Sequence, residues 1–266
     1  MTDRLSRVAQ GWDEAADGYE AYFVPRFAPW VRAAVDALDG LPDGPILVPC
    51  CGTFPELDLL APRFPDRKIA GIDLSAEMVR LARERASRLP LVEVLQGDAA
   101  TLDPRWSVAC AAVVSVFGLQ QLPDPKAAIR SWYDALRPGG RMCVVFWPEV
   151  TEETGPFALV AKVIGVRSDH SWEDGLLSDL DRAVIERDEL VSYPMTHADA
   201  AEYFDTANRS GSMRALGLAR GDAYMAELRT EYLKLAPAGE WTHHPRARLI
   251  SVRKLPSREA VTPPTS

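Results

Sequence analysis

The chain has 266 residues, 47% of them hydrophobic and 26% charged, which suits one large domain with a full core that needs no disulfide or metal. Its formal net charge of −8 argues against a main role on phosphate backbones, which attract surplus Lys and Arg. The N-terminal residues hold no apolar core of the signal-peptide kind and no long apolar run occurs, so the expectation is a cytoplasmic protein with neither membrane nor nucleic acid as partner.

In chain order, residues 46–48 (Ile-Leu-Val) read as a short apolar strand that runs into a Cys-Gly turn. Residues 55–60 read as a helix whose proline sits in the first turn, where a missing N–H costs nothing. Residues 68–72 form the next strand, and Ser75 caps a helix over 76–87 that carries Met78, Val79, Leu81 and Ala82 on one face. A third strand, 91–96, ends at Gly97-Asp98. A fourth, 108–116, is continuously apolar, as a strand buried on both faces should be. A helix over 125–136 is stopped by Arg137-Pro138-Gly139-Gly140, and 141–147 is the fifth strand. Residues 149–240 read as a mostly helical substrate cap inserted in the core, with room for one further strand at 183–193. Residues 241–254 hold the last core strand and 255–266 a flexible tail. Strands alternating with helices predict an α/β fold: a doubly wound, mostly parallel, seven-stranded Rossmann-like sheet, with a core over 1–148 that begins with lid helices.

Cys50, Cys51, Cys110 and Cys143 lie in or beside predicted buried strands, and no histidine cluster follows at ligand spacing, so reduced core thiols and no metal are expected. In an open α/β sheet, ligands bind beyond the carboxyl ends of the strands. There strand one presents Cys50, Cys51, Gly52 and Thr53, a small-residue turn that lets backbone approach a ligand. Strand two ends in Asp73, placed to accept from ribose hydroxyls, and strand three in Asp98, placed to accept from an adenine amino group. Strand four ends near Ser115, Val116 and Phe117, facing the reacting end of a ligand.

These residues resemble a known family. The segment ILVPCCGTFPELDLLA looks like the glycine-loop motif of class I S-adenosylmethionine-dependent methyltransferases; GIDLSAEMVRLARERA, LQGDAATL and VFGLQQLPDPKAAIRSWYDALRPGGRMCVVFW are similar to the motifs that follow it. The resemblance implies S-adenosyl-L-methionine as cofactor, with Asp73 on the ribose, Asp98 and Ala99 on the adenine, and Gly52 near the methionine part. It adds Leu74, Met78 and Gly97 to the expected lining and places Tyr19 in a segment that closes over the cofactor. The chain departs from the family at Val48, Pro49, Cys50 and Phe54, where an acidic residue on the first strand and further glycines in the loop are usual; Phe54 would crowd the loop where glycine is common.

Methyl transfer from a sulfonium needs alignment and exclusion of water more than acid–base chemistry. The acceptor is expected to be a small organic molecule of secondary metabolism, held by Tyr22, Phe23, Phe27, Phe117, Gln120, Gln121, Trp147, His197 and Tyr203. His197, expected to open a helix of the cap, is the candidate base. The alternative is a degenerate relative that binds the cofactor structurally, or acts as a cyclase or interaction partner, without methyl transfer. A nicotinamide enzyme is disfavoured because CCGTFP lacks the second and third glycines of G-x-G-x-x-G. Oligomeric state is not fixed by the sequence.

Overall fold

Strand β1 (Ile46–Pro49) is buried on both faces and separates two cores. Ile46 and Val48 point toward Trp30, Phe54 and Leu60, while Leu47 points the other way, toward Val113, Trp132 and Phe146. The computed structural model describes residues 3–165 and 169–256. Around β1 lies a seven-stranded sheet ordered β3 (Val92–Gln96), β2 (Ile69–Asp73), β1, β4 (Cys110–Val116), β5 (Leu136–Phe146), β9 (Arg246–Lys254), β6 (Ala183–Ser192). The first five are parallel, and β9 runs against both its neighbours. Helices α1 (Asp3–Asp36), α2 (Leu57–Arg63) and α3 (Ala76–Ala86) feed one core and α4 (Pro125–Asp134) the other, which is why β4 has no polar face.

Two of the predicted helix starts hold; the helix expected over 55–60 begins instead at Leu57, with Pro55 outside it, and runs to Arg63. Ser75 Oγ accepts from Met78 N (3.1 Å), and Asp124 Oδ1 accepts from Ala127 N (2.9 Å), with Pro125 following it. The predicted ends are corrected in two places. Strand β4 begins at Cys110 rather than 108, because Val108 takes a left-handed backbone (φ 53°) and turns its side chain outward. The helix before β5 ends at Asp134, and Leu136 already pairs with Cys110. The Arg-Pro-Gly-Gly segment is therefore an irregularity inside β5, where the register shifts between Cys110 and Ala112.

The segment 149–240 contributes a core element as well as a cap, since β6 is the edge strand beside β9. The remaining elements are α5 (Pro156–Ile164), β7 (Met195–His197), α6 (Ala200–Ala207), α7 (Gly211–Arg220) and α8 (Asp222–Leu235). Strand β8 (Trp241–His243) pairs with β7 in a separate two-stranded sheet, so residues 241–243 belong to the cap and the last core strand starts at Arg246. Of the expected tail, 257–266 fall outside the described residues. Among the described residues no helix is long and apolar enough to cross a membrane.

Two close approaches fix the lid and the loop. Helix α1 crosses α7 with glycine on both sides: a Cβ on Gly11 would stand 2.7 Å from the Gly211 carbonyl oxygen, and one on Gly211 would enter the Trp12 ring. After β1 the chain takes left-handed conformations at Cys50 (φ 55°), Gly52 (φ 53°) and Phe54 (φ 66°). Phe54 does not crowd the loop as its sequence position implies. Its ring is fully buried and lies against Gly71 of β2, where a Cβ would come within 2.8 Å of it. The missing Cβ on β2 makes the room that the missing glycine in the loop would have supplied.

Replacing Phe54 by glycine removes about 1 kcal/mol of backbone strain but leaves a ring-sized void. Phe54→Gly is expected to lower stability by about 2–4 kcal/mol in urea unfolding. An unchanged midpoint would mean that the ring contributes nothing to the core.

Candidate functional site

A cavity of about 960 Å³, open space at its mouth included, lies at the carboxyl edge of the parallel strands. Its floor is the β1–α2 loop with Cys50, Cys51, Gly52, Thr53 and Glu56. Asp73 and Leu74 follow β2, with Met78 beyond them; Asp98 and Ala99 follow β3, and Val116 and Phe117 close β4. Its roof is one stripe of α1: Val8, Trp12, Tyr19, Phe27 and Val31 recur at helical spacing.

Asp73 organises the floor. Its Oδ2 accepts from Gly52 N (2.8 Å) and its Oδ1 from Ser75 N (3.0 Å). Burial raises its pKa while these backbone donors oppose the rise. Ser75 in turn donates its hydroxyl to Asp13 of α1 (2.6 Å), so one chain of hydrogen bonds joins β1 loop, β2, α3 and lid. Two further acids on α1 hold α3 from the same side: Asp17 pairs with Arg80, and Glu20 with Arg85. Asp98 is exposed at the far end and accepts from Ala100 N (2.8 Å).

The remaining polar groups of the floor are unspent. Glu56 is 2% exposed, its Oε2 has no hydrogen-bond partner, and burial pushes its pKa up to about 8. Thr53 Oγ1 is buried and likewise unpartnered. Burial raises the Cys50 and Cys51 thiols well above their ordinary range, so both are neutral and neither is a ready nucleophile. Burial also raises Tyr19, with Glu56 and Asp73 adding to the effect.

Most of the expected cofactor residues meet here. Tyr19, Cys50, Cys51, Gly52, Thr53, Asp73, Leu74, Met78, Asp98, Ala99 and Val116 all line the cavity. Ser115 and Gly97 do not: the buried Ser115 hydroxyl donates to the Pro49 carbonyl (2.9 Å), and Gly97 N donates to the Asp73 carbonyl (2.8 Å). Both brace the strand ends from behind. Of the expected acceptor residues, Phe27, Phe117 and Gln121 line the cavity. Trp147 lies behind Phe117 in a parallel stack (4.1 Å between centroids), and Gln120 Nε2 donates to the Phe117 carbonyl (2.7 Å). Tyr22, Phe23 and Tyr203 pack between α1 and the cap, off the cavity wall. Among the lining residues that the sequence reading missed are Val8, Trp12, Val31 and Glu56. The helical spacing of the first three along residues 8–31 carried the signal; Glu56 had none beyond its place just after the glycine loop.

His197 is corrected. It ends β7 rather than opening a helix, has no exposed surface, and does not line the cavity. Its Nδ1 lies 2.7 Å from the Tyr22 hydroxyl and its Nε2 3.0 Å from His243 Nε2; His243 Nδ1 lies 2.6 Å from Glu152 Oε2. Glu152 Oε1 accepts from Phe157 N at the start of α5. With both imidazoles neutral, one arrangement satisfies every group: Tyr22 O–H donates to His197, His197 to His243, and His243 to Glu152. Burial, aided by His243 and Arg26, depresses His197 to about 3, so it is a poor base at neutral pH. The chain of rings ties lid, hairpin and α5 together.

Known proteins resemble this chain in sequence and in fold. Residues 46–140 match the family described as a methyltransferase domain. The chain is 34% identical over 118 residues to the 2-phytyl-1,4-naphtoquinone methyltransferase of Thermosynechococcus vestitus, covering 44% of this chain and 52% of that one. It is 35% identical over 136 residues to the demethylmenaquinone methyltransferase of Thermus thermophilus, covering 50% and 60%. The match thus spans little more than half the length of these curated relatives. Among solved structures, the geranyl diphosphate C-methyltransferase of Streptomyces coelicolor superposes with a TM-score of 0.59 at 14% identity, covering 96% of this chain and 99% of that one, which shows a shared fold.

Two pH dependences follow. Glu56 has a folded pKa raised from 4.5 to about 8, so its contribution to stability is full below pH 4.5 and is lost as pH rises to 8. Glu56→Gln is expected to abolish a decline of about 3–5 kcal/mol across that window in pH-dependent thermal unfolding without ligand. His197 has a folded pKa lowered from 6.5 to about 3, so its contribution is full above pH 6.5 and is lost as pH falls toward 3. His197→Gln is expected to cost about 1–3 kcal/mol at pH 7 and to flatten the acid limb of the same curve. A steeper acid limb would show that His197 is not held neutral.

Proposed function

We propose that this protein, whose residues 46–140 match a methyltransferase domain, transfers a methyl group from S-adenosyl-L-methionine to a small, largely apolar organic acceptor, in secondary metabolism. The observation that carries this reading is the lidded cavity at the carboxyl edge of the parallel sheet, with Gly52, Asp73 and Asp98 presented from successive strand ends.

The residues fit such a cofactor. Gly52 lacks a side chain where a ligand approaches the loop: the nearest atom to an added Cβ is Met78 Sδ, 4.0 Å away. Thr53 and Glu56 offer unpartnered buried oxygens in a largely apolar enclosure that Asp73, Asp98 and Gln121 also line, capacity that suits a polar, positively charged guest. When bound, S-adenosylmethionine supplies a methyl group already activated on a sulfonium sulfur. In this reading Asp73 accepts from the ribose while still holding the Gly52 and Ser75 amides, and Asp98 and Ala99 meet the adenine. Leu74 and Met78 wall the nucleoside, and Trp12 and Tyr19 exclude water from above.

Phe27, Val31, Val116 and Phe117 make the acceptor end apolar, and Gln121 is the polar group that orients a guest there. No imidazole among the described residues faces the cavity, so alignment and desolvation, rather than proton abstraction by His197, supply the acceleration. A naphthoquinone and geranyl diphosphate, named for the relatives above, are small organic molecules, which supports an acceptor of that size. The enclosed shape and the acidic net charge favour a small molecule over nucleic acid as the acceptor.

Calorimetric titration tests this. Binding of S-adenosylmethionine and S-adenosylhomocysteine with dissociation constants on the order of micromolar is expected, and Asp73→Ala is expected to weaken both by about 1.5–3 kcal/mol. A folded wild-type protein that binds neither would overturn the reading. Screening quinones, phenols and isoprenoids with the labelled methyl donor then tests the acceptor class, and methylation confined to tRNA or protein would remove the small-molecule assignment.

A further inference from the structure

Strand β1 carries no carboxylate: Val48 is fully buried, with its side chain in the core beside Trp30. Three acids nevertheless stand along the cavity in strand order: Asp98 after β3, Asp73 at the end of β2, and Glu56 in the segment after β1. With β2 between β3 and β1 in the sheet, Asp73 stands between Asp98 and the segment that carries Glu56. In keeping with that order, Asp73 and Asp98 both raise the Cys50 thiol, and Asp73 and Glu56 both raise the Cys51 thiol. An elongated guest with its base at Asp98 and its sugar at Asp73 brings its remaining end to Glu56.

The Glu56 carboxyl group is only partly engaged in the fold: its own backbone amide and the charge of Arg85 favour its ionised form, but burial outweighs them. Glu56 occupies the N-cap position of α2, yet its side chain makes no cap hydrogen bond. Its Oε2 is buried in the cavity wall without a partner. The nearby Arg85 is already committed: its Nε donates to the Thr53 carbonyl (3.0 Å), and its terminal nitrogens pair with Asp58 and Glu20. An unpaired carboxyl group in a buried site is costly to ionise, and a cation brought within hydrogen-bond reach is what relieves that cost.

We propose that Glu56 receives the ammonium of the cofactor's amino-acid end, supplying from the start of α2 the carboxylate that β1 lacks. This rests on the cofactor reading above and assigns Glu56 as a binding residue within it. Burial, opposed by its own backbone amide and by Arg85 and aided by Asp58 and Asp73, holds Glu56 up at about 8, so it is largely protonated without ligand at pH 7, and pairing with an ammonium ionises it. Binding of an amino-acid-bearing ligand therefore releases a proton.

The test is calorimetry with two probes, S-adenosylhomocysteine and 5′-methylthioadenosine, which keeps the nucleoside but lacks the amino-acid end. Glu56→Gln is expected to weaken S-adenosylhomocysteine roughly tenfold or more while leaving 5′-methylthioadenosine within about twofold. Wild-type binding of S-adenosylhomocysteine at pH 7 is expected to show a heat that depends on the buffer's ionisation enthalpy, and Glu56→Gln to lose that dependence. Retained 5′-methylthioadenosine binding proves the variant folded; should Gln fail to fold, Glu56→Asp, which withdraws the carboxylate by one methylene, is expected to show the same selective loss. Equal loss of both probes, or loss of neither, overturns the role of Glu56 and leaves the cofactor reading standing. A folded wild type that binds neither probe overturns both.

Discussion

The site hangs on a single buried carboxylate. Asp73 holds the amide of Gly52 on one oxygen and that of Ser75 on the other. The first bond pins the loop after β1 in its run of left-handed turns; the second sets the entry angle of α3. Ser75 passes the connection on to Asp13, which also accepts from Glu77 N. Loop, strand, helix and lid thus share one node, and a carboxylate already spent on two amides is held still for a third partner.

Helix α1 is the other half of the device. Two stripes of different chemistry run along it. Val8, Trp12, Tyr19 and Phe27 face the cavity, while Asp13, Asp17 and Glu20 reach α3 and its arginines. Farther along, Tyr22 enters the chain through His197 and His243 to Glu152. The roof is therefore held by polar contacts on its flanks and contributes apolar surface beneath, a division that keeps charge out of the space over the ligand.

The sheet was legible because its signals are local. Alternation of strand and helix, caps at Ser75 and Asp124, and acids at the ends of β2 and β3 are written in neighbouring residues. What escaped depends on partners distant in the chain. Phe54 looks misplaced until Gly71, on another strand, is seen to make room for it. Leu136 looks like the end of a helix because its pairing with Cys110 is tertiary. His197 looks like a base because histidine usually titrates near neutrality, but Tyr22 and His243, far from it in sequence, bury and satisfy it. Glu56 reads as a helix-start acid, and only the geometry shows that its side chain leaves the helix for the cavity.

The crossing of α1 and α7 sets a tolerance at a distance. Gly11 and Gly211 do not line the cavity, yet neither position accepts a group larger than hydrogen without parting the two helices. Parting them lifts the turn that carries Val8 and Trp12, the outermost boards of the roof. The sheet beneath would fold as before, with a pocket that leaks. A variant of this kind would lose stability at the α1–α7 contact and keep water off its guest less well.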